Sequence, residues 1–224
     1  MKTKSKNPSR PKTETVDVTM VLDRSGSMVQ VAADTIGGVN TFIKAQRKLR
    51  GGCHLTLHQF DTEFETVYEH KTITDAPLLT SATFVPRGNT ALNDAIVKAV
   101  GLTTARQLAA KKQVGKIIFV IVTDGLENAS REASPEQVRE LLKAKTAAKW
   151  EIVYVGANQD AVAVSKGIGG QACNSMSYSA TSEGTQALYR SISKNVGDVR
   201  MKMSATMAFK KADRDEQAKL GVKQ

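Results

Sequence analysis

From residue 16 the chain alternates apolar with smaller or polar positions. Val18, Met20 and Leu22 fall on one face of an extended strand, and Val21 fills in beside them. The run stops at Asp23-Arg24-Ser25-Gly26-Ser27, where three oxygen-bearing side chains occupy alternate positions around a glycine that eases a tight turn. The spacing then changes to that of a helix. Val29, Ala32, Ile36, Val39, Phe42 and Ile43 predict a helix over residues 28–49, ended by Arg50-Gly51-Gly52. Gly37-Gly38 weakens that helix locally and allows close approach to a neighbour.

Two strands follow, over residues 54–60 and 63–68. The short connection at Asp61-Thr62 predicts an antiparallel hairpin with its second strand at a sheet edge. A connecting segment with Pro77 and Pro86 leads to Gly88-Asn89-Thr90 and a long helix over 91–110, apolar at Leu92, Ile96, Val100 and Leu108. Lys111-Lys112-Gln113 leads into the most hydrophobic run, Ile117 to Val122, which predicts a central parallel strand covered on both faces. It too ends in an aspartate, within Thr123-Asp124-Gly125. Ser134-Pro135-Glu136-Gln137 carries the marks of a helix start, with a serine cap, proline at the first position and glutamine at capping-box spacing. Strands at 150–155 and 171–177, a short helix at 160–166 and a closing helix at 181–196, capped by Thr181 or Ser182, complete the pattern. Strands alternating with helices give an α/β fold with a doubly wound sheet. The expected organisation is a basic flexible tail (residues 1–15), one domain (16–197) and a C-terminal extension (198–224), partly helical or flexible. Within that extension Met201, Met203, Met207 and Phe209 are candidates for core or partner packing, and Asp213 onward reads as a solvated tail.

The 224 residues suffice for one well-buried core, and no run approaches the roughly 18 uninterrupted apolar residues of a membrane span. Lysines and an arginine in the first fifteen residues are not followed by an apolar stretch, so a secretory signal is not expected. The net charge of +10 permits contact with nucleic acid, but aromatic residues make up only 5% and do not interleave with basic ones. Nucleic-acid binding is therefore not expected. Cys53 and Cys173 lie far apart, each in a predicted strand, and are expected to be reduced and structural in a cytosol-like compartment. His54 and His58 share a strand face, with packed core histidines favoured over a metal pair, and His70 is expected to be exposed.

A carboxylate and two hydroxyls in Asp23-x-Ser25-x-Ser27 suit a small, hard divalent cation such as Mg²⁺, with Mn²⁺ or Ca²⁺ as substitutes, although alone they would equally cap a helix. They do not stand alone. With Thr90 opening the second long helix and Asp124 ending the second buried strand, they resemble the metal-ion-dependent adhesion site of the von Willebrand factor A domain, and the resemblance spans residues 16–196. It implies a Rossmann-like, mainly parallel six-stranded sheet with one antiparallel edge strand and helices on both faces. It also implies the metal ligands: Ser25, Ser27 and Thr90 through their hydroxyls, Asp23 and Asp124 directly or through water. Arg24 and Asn89, beside these residues, are candidates to tune a partner's approach; an ordinary exposed arginine is the other reading of Arg24.

The function implied is metal-dependent protein binding, with an Asp or Glu of the partner completing the coordination. The alternatives are a structural or assembly subunit of a bacterial or phage complex, and nucleic-acid binding by the basic tail. Stand-alone proteins of this family in bacteria and their phages include some that work beside a separate ATPase, and a cytoplasmic or virion location goes with that reading. An enzyme is not expected. There is no Gly-x-Ser-x-Gly elbow and no nucleotide-binding loop. Glu127 is the only nearby candidate base, a surface role explaining it equally well, and Asp94 reads as a charge complementing the dipole of its helix, with support of the metal shell as the alternative.

Overall fold

The computed structural model describes residues 15–110, 115–157 and 159–222. The expected N-terminal tail, up to residue 14, and the Lys111-Lys112-Gln113 connection lie outside them. The strands are β1 (Val16–Asp23), β2 (Cys53–Phe60), β3 (Phe64–Thr72), β4 (Lys116–Thr123), β5 (Glu151–Ala157) and β6 (Ser175–Tyr178). The α-helices are α1 (Ala32–Arg47), α2 (Leu92–Ala109), α3 (Pro135–Ala147), α4 (Ala161–Gly167), α5 (Ser182–Arg200) and α6 (Lys211–Ala218). The strands form one sheet in the order β3-β2-β1-β4-β5-β6. Every neighbouring pair is parallel except β2–β3, so β3 is the expected antiparallel edge.

The two-residue period of β1 divides the core. Val18, Met20 and Leu22 join Val39, Phe42 and Ile43 of α1 and Leu188, Tyr189, Ile192 and Val196 of α5 on one face. Val21 joins Leu92, Ile96 and Val100 of α2 and Val138 and Leu142 of α3 on the other. β4 is buried on both faces from Ile117 on, as its unbroken apolar run predicts. Strand order reverses between β1 and β4. The crevice beyond the carboxyl ends of these two strands is where an open α/β sheet binds ligands.

Several boundaries differ from the sequence reading. The first helix starts with a 3₁₀ segment, Gly26–Val31, before α1, and Val29 is 61% exposed rather than part of an apolar stripe. The amide of Gly26 donates to Gly88 O (3.1 Å), which draws the chain aside before α-helical geometry can begin. The last strand is shorter than expected: Cys173 lies in a 3₁₀ turn (Ala172–Asn174) and is exposed, whereas Cys53 is buried. The described extension packs on the domain, and its stretch from Asp213 to residue 222, expected to be solvated, is anchored through α6. Met207 and Phe209 join the α1–α5 core, although Met201 and Met203 stay exposed. Gln217 of α6, fully buried, accepts from the Ser179 amide (3.0 Å) and donates to Gly184 O (2.8 Å).

Of the histidines, His58 is fully buried with Nδ1 on Thr66 Oγ1 (2.9 Å), while His54, half-buried, stacks on His70 with ring centroids 4.0 Å apart. His70 is itself only half-exposed, a correction to the expectation that it is exposed. Burial lowers the His58 pKa from 6.5 to about 4, with the charge of Arg106 adding to the effect. The unfolded chain therefore takes up a proton near pH 6.5 that the folded chain refuses until about pH 4. Stability contributed by neutral His58 is complete above pH 6.5 and is lost as pH falls through that window, by up to roughly 3 kcal/mol. Urea midpoints of wild type and His58→Gln at pH 7 and pH 4.5 check this; the gap between the two proteins should move in favour of the variant at the lower pH, and a constant gap would refute it.

Candidate metal site

The carboxyl ends of β1 and β4 bring Asp23 and Asp124 together, and three loops converge on them. Asp23, the last residue of β1, is fully buried. Its Oδ1 accepts from the Ser25 amide (2.7 Å) and its Oδ2 from the Thr123 hydroxyl (2.6 Å). The Ser25 and Ser27 hydroxyls lie 3.1 Å apart, and Ser27 donates to Asp124 Oδ1 at 2.6 Å. Thr90 closes the group from the third loop. A methyl group built on Gly125 would sit 3.1 Å from Thr90 Oγ1 and 3.9 Å from Ser27 Oγ, so the bare backbone of Gly125 keeps that cleft open. All five sequence-predicted ligands thus meet at one edge of the sheet.

The electrostatics fit a cation. Burial raises the Asp23 pKa to about 6; hydrogen bonds from Thr123 and Ser25 oppose that rise, and the charge of Asp124 adds to it. Burial also raises Asp124, against the pull of the Ser27 hydroxyl. Two carboxylates lifted in this way would be relieved by a divalent ion between them. Among the described residues no group of three or more His, Cys, Asp or Glu is arranged to hold a metal, so a cation here would take mixed carboxylate and hydroxyl oxygens. That donor set suits Mg²⁺ or Mn²⁺ rather than a thiolate-seeking metal.

The other sequence candidates are placed differently. Arg24 is not exposed: its side chain is buried against Asp61, Gln59 and Glu65. Asn89 is exposed beside Thr90, its amide donating to Thr62 Oγ1 (3.1 Å). Glu127 is committed to the loop after β4. Oε1 accepts from the amides of Ala129 and Ser130, and Oε2 from the Asn93 amide and the Ser130 hydroxyl. Asp94 sits in the first turn of α2 as expected, yet its carboxylate accepts three amides, from Arg131, Glu132 and Ala133. Asn128, which nothing in the sequence marks, exchanges hydrogen bonds with the Thr90 backbone: Thr90 N to its Oδ1 at 2.9 Å and its own N to Thr90 O at 3.0 Å. These contacts fasten the Asp124 loop to the Thr90 loop.

The comparisons agree with this architecture. Residues 17–191 match the von Willebrand factor type A domain. Among solved structures the chain is similar to the pilus adhesin SpaC from Lactobacillus rhamnosus GG, with a TM-score of 0.65, 13% identity and coverage of 83% of this chain and 31% of that one. It is similar to proximal thread matrix protein 1 from the mussel byssus with a zinc-occupied MIDAS motif (TM-score 0.59, 17% identity, 83% of this chain and 46% of that one). A third is the vWF domain of the type V pili tip protein Mfa5 from Porphyromonas gingivalis (TM-score 0.57, 11% identity, 82% and 95%). The chain therefore spans under half the length of the first two. No curated protein sequence matches it. At such identities the structural likeness speaks for the fold alone, whereas the sequence match covers most of the chain: it belongs to the von Willebrand factor type A domain family.

Proposed function

We propose that Asp23, Ser25, Ser27, Thr90 and Asp124 form a complete metal-ion-dependent adhesion site for Mg²⁺, through which the domain binds an acidic residue of a protein partner. The observation that carries this reading is the chain of contacts from Asp23 through Ser25 and Ser27 to Asp124 at the strand-order reversal. The zinc-occupied MIDAS of the mussel protein supports it as an instance of the same fold holding a divalent metal. Bound there, the ion would supply an electrophilic centre that its neutral hydroxyl ligands leave under-neutralised, which attracts a carboxylate from outside. The chain's own residues do the rest. Ser25 and Asp23 are buried, whereas Ser27 is exposed, so an incoming group meets the hydroxyl side of the site.

Large apolar side chains stand two residues beyond two of the ligands: Val29 after Ser27 (61% exposed) and Leu126 after Asp124 (62% exposed). An acidic residue flanked by apolar ones is the partner chemistry they suit. A binding role is also favoured over a catalytic one, because Glu127, the candidate base, has both oxygens occupied by loop donors.

Partner retention by the immobilised protein in Mg²⁺ and in EDTA, with Asp23→Asn as control, tests the proposal. Retention only by wild type in Mg²⁺, weakened by Leu126→Ser while Mn²⁺ affinity is unchanged, is the expected result. Retention in all three conditions would replace it with an assembly role in which any metal serves only to hold the loops.

A further inference from the structure

The loops that carry Ser25, Ser27 and Thr90 are held by a group that contributes no ligand, the turn between β2 and β3. Asp61, 2% exposed, accepts from Arg24 Nε and from Arg87 Nε on the same oxygen, Oδ2, each at 2.9 Å. Its other oxygen takes the Glu63 amide (2.7 Å). Arg24 lies between Asp23 and Ser25; Arg87 lies three residues before Thr90. One carboxylate therefore ties together the two loops that supply the three hydroxyls.

Main-chain bonds run through the same joint. Arg24 N donates to Phe60 O (2.8 Å), Arg87 N to Arg24 O (2.8 Å), Gly26 N to Gly88 O (3.1 Å) and Ala91 N to Asp61 O (3.0 Å). Arg24 is buried and spans Asp61, Gln59 and Glu65, while Arg87 is half exposed and reaches Glu63 as well. The arginines are thus matched by acids and offer no free positive charge to a ligand; their role is mechanical. Burial alone would raise the Asp61 pKa, but the Glu63 amide and both guanidiniums hold it below the ordinary carboxylate value, so the joint stays ionised at neutral pH.

The geometry points to Asp61 as a positioning residue for the proposed metal site: with Arg24 and Arg87 it sets the separation of the Ser25–Ser27 loop from the Thr90 loop. This rests on the metal reading above, and it extends the site to a turn that touches no ligand. Groups hydrogen-bonded directly to a ligand typically change metal affinity by about ten- to a hundredfold when removed, and for Asp61, which acts through Arg24 and Arg87, the low end of that range is expected.

Two measurements test it. Amide exchange in the metal-free protein reports whether the joint holds the loops. In Asp61→Asn, the amides of Gly26, Arg87 and Ala91 should exchange about tenfold faster, with those inside α5 unchanged. Mn²⁺ titration reports whether holding the loops matters. Asp61→Asn should bind about tenfold more weakly, and Arg87→Gln, at an exposed position tolerant of change, a few-fold more weakly. Arg190→Gln, which breaks the Arg190–Glu216 pair between α5 and α6, its arginine as exposed as Arg87, should bind as wild type does. Wild-type exchange in Asp61→Asn would overturn the clamp, and faster exchange with unchanged Mn²⁺ affinity would overturn its positioning role. If wild type itself binds no Mn²⁺, the metal reading and the positioning role fall together, and the exchange result alone decides whether the turn clamps the loops.

Discussion

Replacing Asp23 by asparagine is expected to abolish stabilisation by Mg²⁺ or Mn²⁺ and, in EDTA at pH 7.5, to leave the protein at least as stable as wild type. The first half follows from the donor set. A metal at a hundred times its Kd raises unfolding free energy by about 2.7 kcal/mol, and the variant lacks the buried carboxylate on which the proposed binding depends. The second half follows from burial. Asp23 has a folded pKa of about 6 against 3.8 in the unfolded chain. A raised acid pKa means that the unfolded chain gives up its proton first, so stability is lost as pH rises from 3.8 through 6, by up to roughly 3 kcal/mol in the metal-free protein. Asparagine carries no such charge, and Thr123 can turn its hydroxyl to Gly125 O, 3.0 Å away, and accept from the new amide. The trend opposes that of His58 over part of the same pH range, so each must be read as a difference between wild type and its own variant. Thermal melts with metal and with EDTA at pH 7.5 check both halves. A metal-dependent shift that survives in the variant would sink the assigned site; a variant clearly less stable in EDTA would sink the charge-burial account.

The parts of the site legible in the sequence are those whose chemistry is local. Asp23, Ser25 and Ser27 share one turn, Thr90 opens a helix and Asp124 ends the most apolar strand, so each announces itself within its own segment. The fold was legible for the same reason. Period-two spacing locates β1, an unbroken apolar run β4 and helical spacings α1 and α2, and the capping box found at Ser134 and Gln137 is complete on both sides. What the sequence concealed depends on partners far along the chain. Arg24 looks like a surface arginine until Asp61 and Glu65 arrive from the hairpin. Glu127 looks like a surface charge, and Asp94 like a charge serving only its own helix, until their carboxylates are seen to collect backbone amides. α6 has little apolar periodicity to betray it, because polar contacts from Gln217, Arg214 and Glu216 tie it down. Polar anchoring of this kind leaves no period to read.

Gly37 and Gly38 differ by one position, yet alanine should act on them in opposite directions. Both lie inside α1, where glycine costs about 1 kcal/mol relative to alanine because the unfolded chain has more freedom to lose. Nothing lies within 4 Å of a methyl group at Gly37, so Gly37→Ala should recover most of that, raising stability by about 0.5–1 kcal/mol. At Gly38 the same methyl group would overlap the ring of Tyr189 on α5, at 2.6 Å from Cγ and 2.7 Å from Cε2. That ring is 1% exposed and packed among core side chains, with no room to withdraw. Gly38→Ala should therefore force the helices apart and cost roughly 2–4 kcal/mol, well beyond the helix-propensity gain. Urea unfolding of the two variants side by side decides it. A Gly38→Ala protein within about 0.5 kcal/mol of wild type would mean that α1 and α5 do not approach so closely. The site has a stake in the outcome. α1 follows directly from the 3₁₀ segment that carries Ser27, so separating it from α5 pulls on the loop whose hydroxyls face Asp124. The loss of stability at Gly38 should therefore come with weaker Mn²⁺ binding, and the gain at Gly37 should leave that binding unchanged.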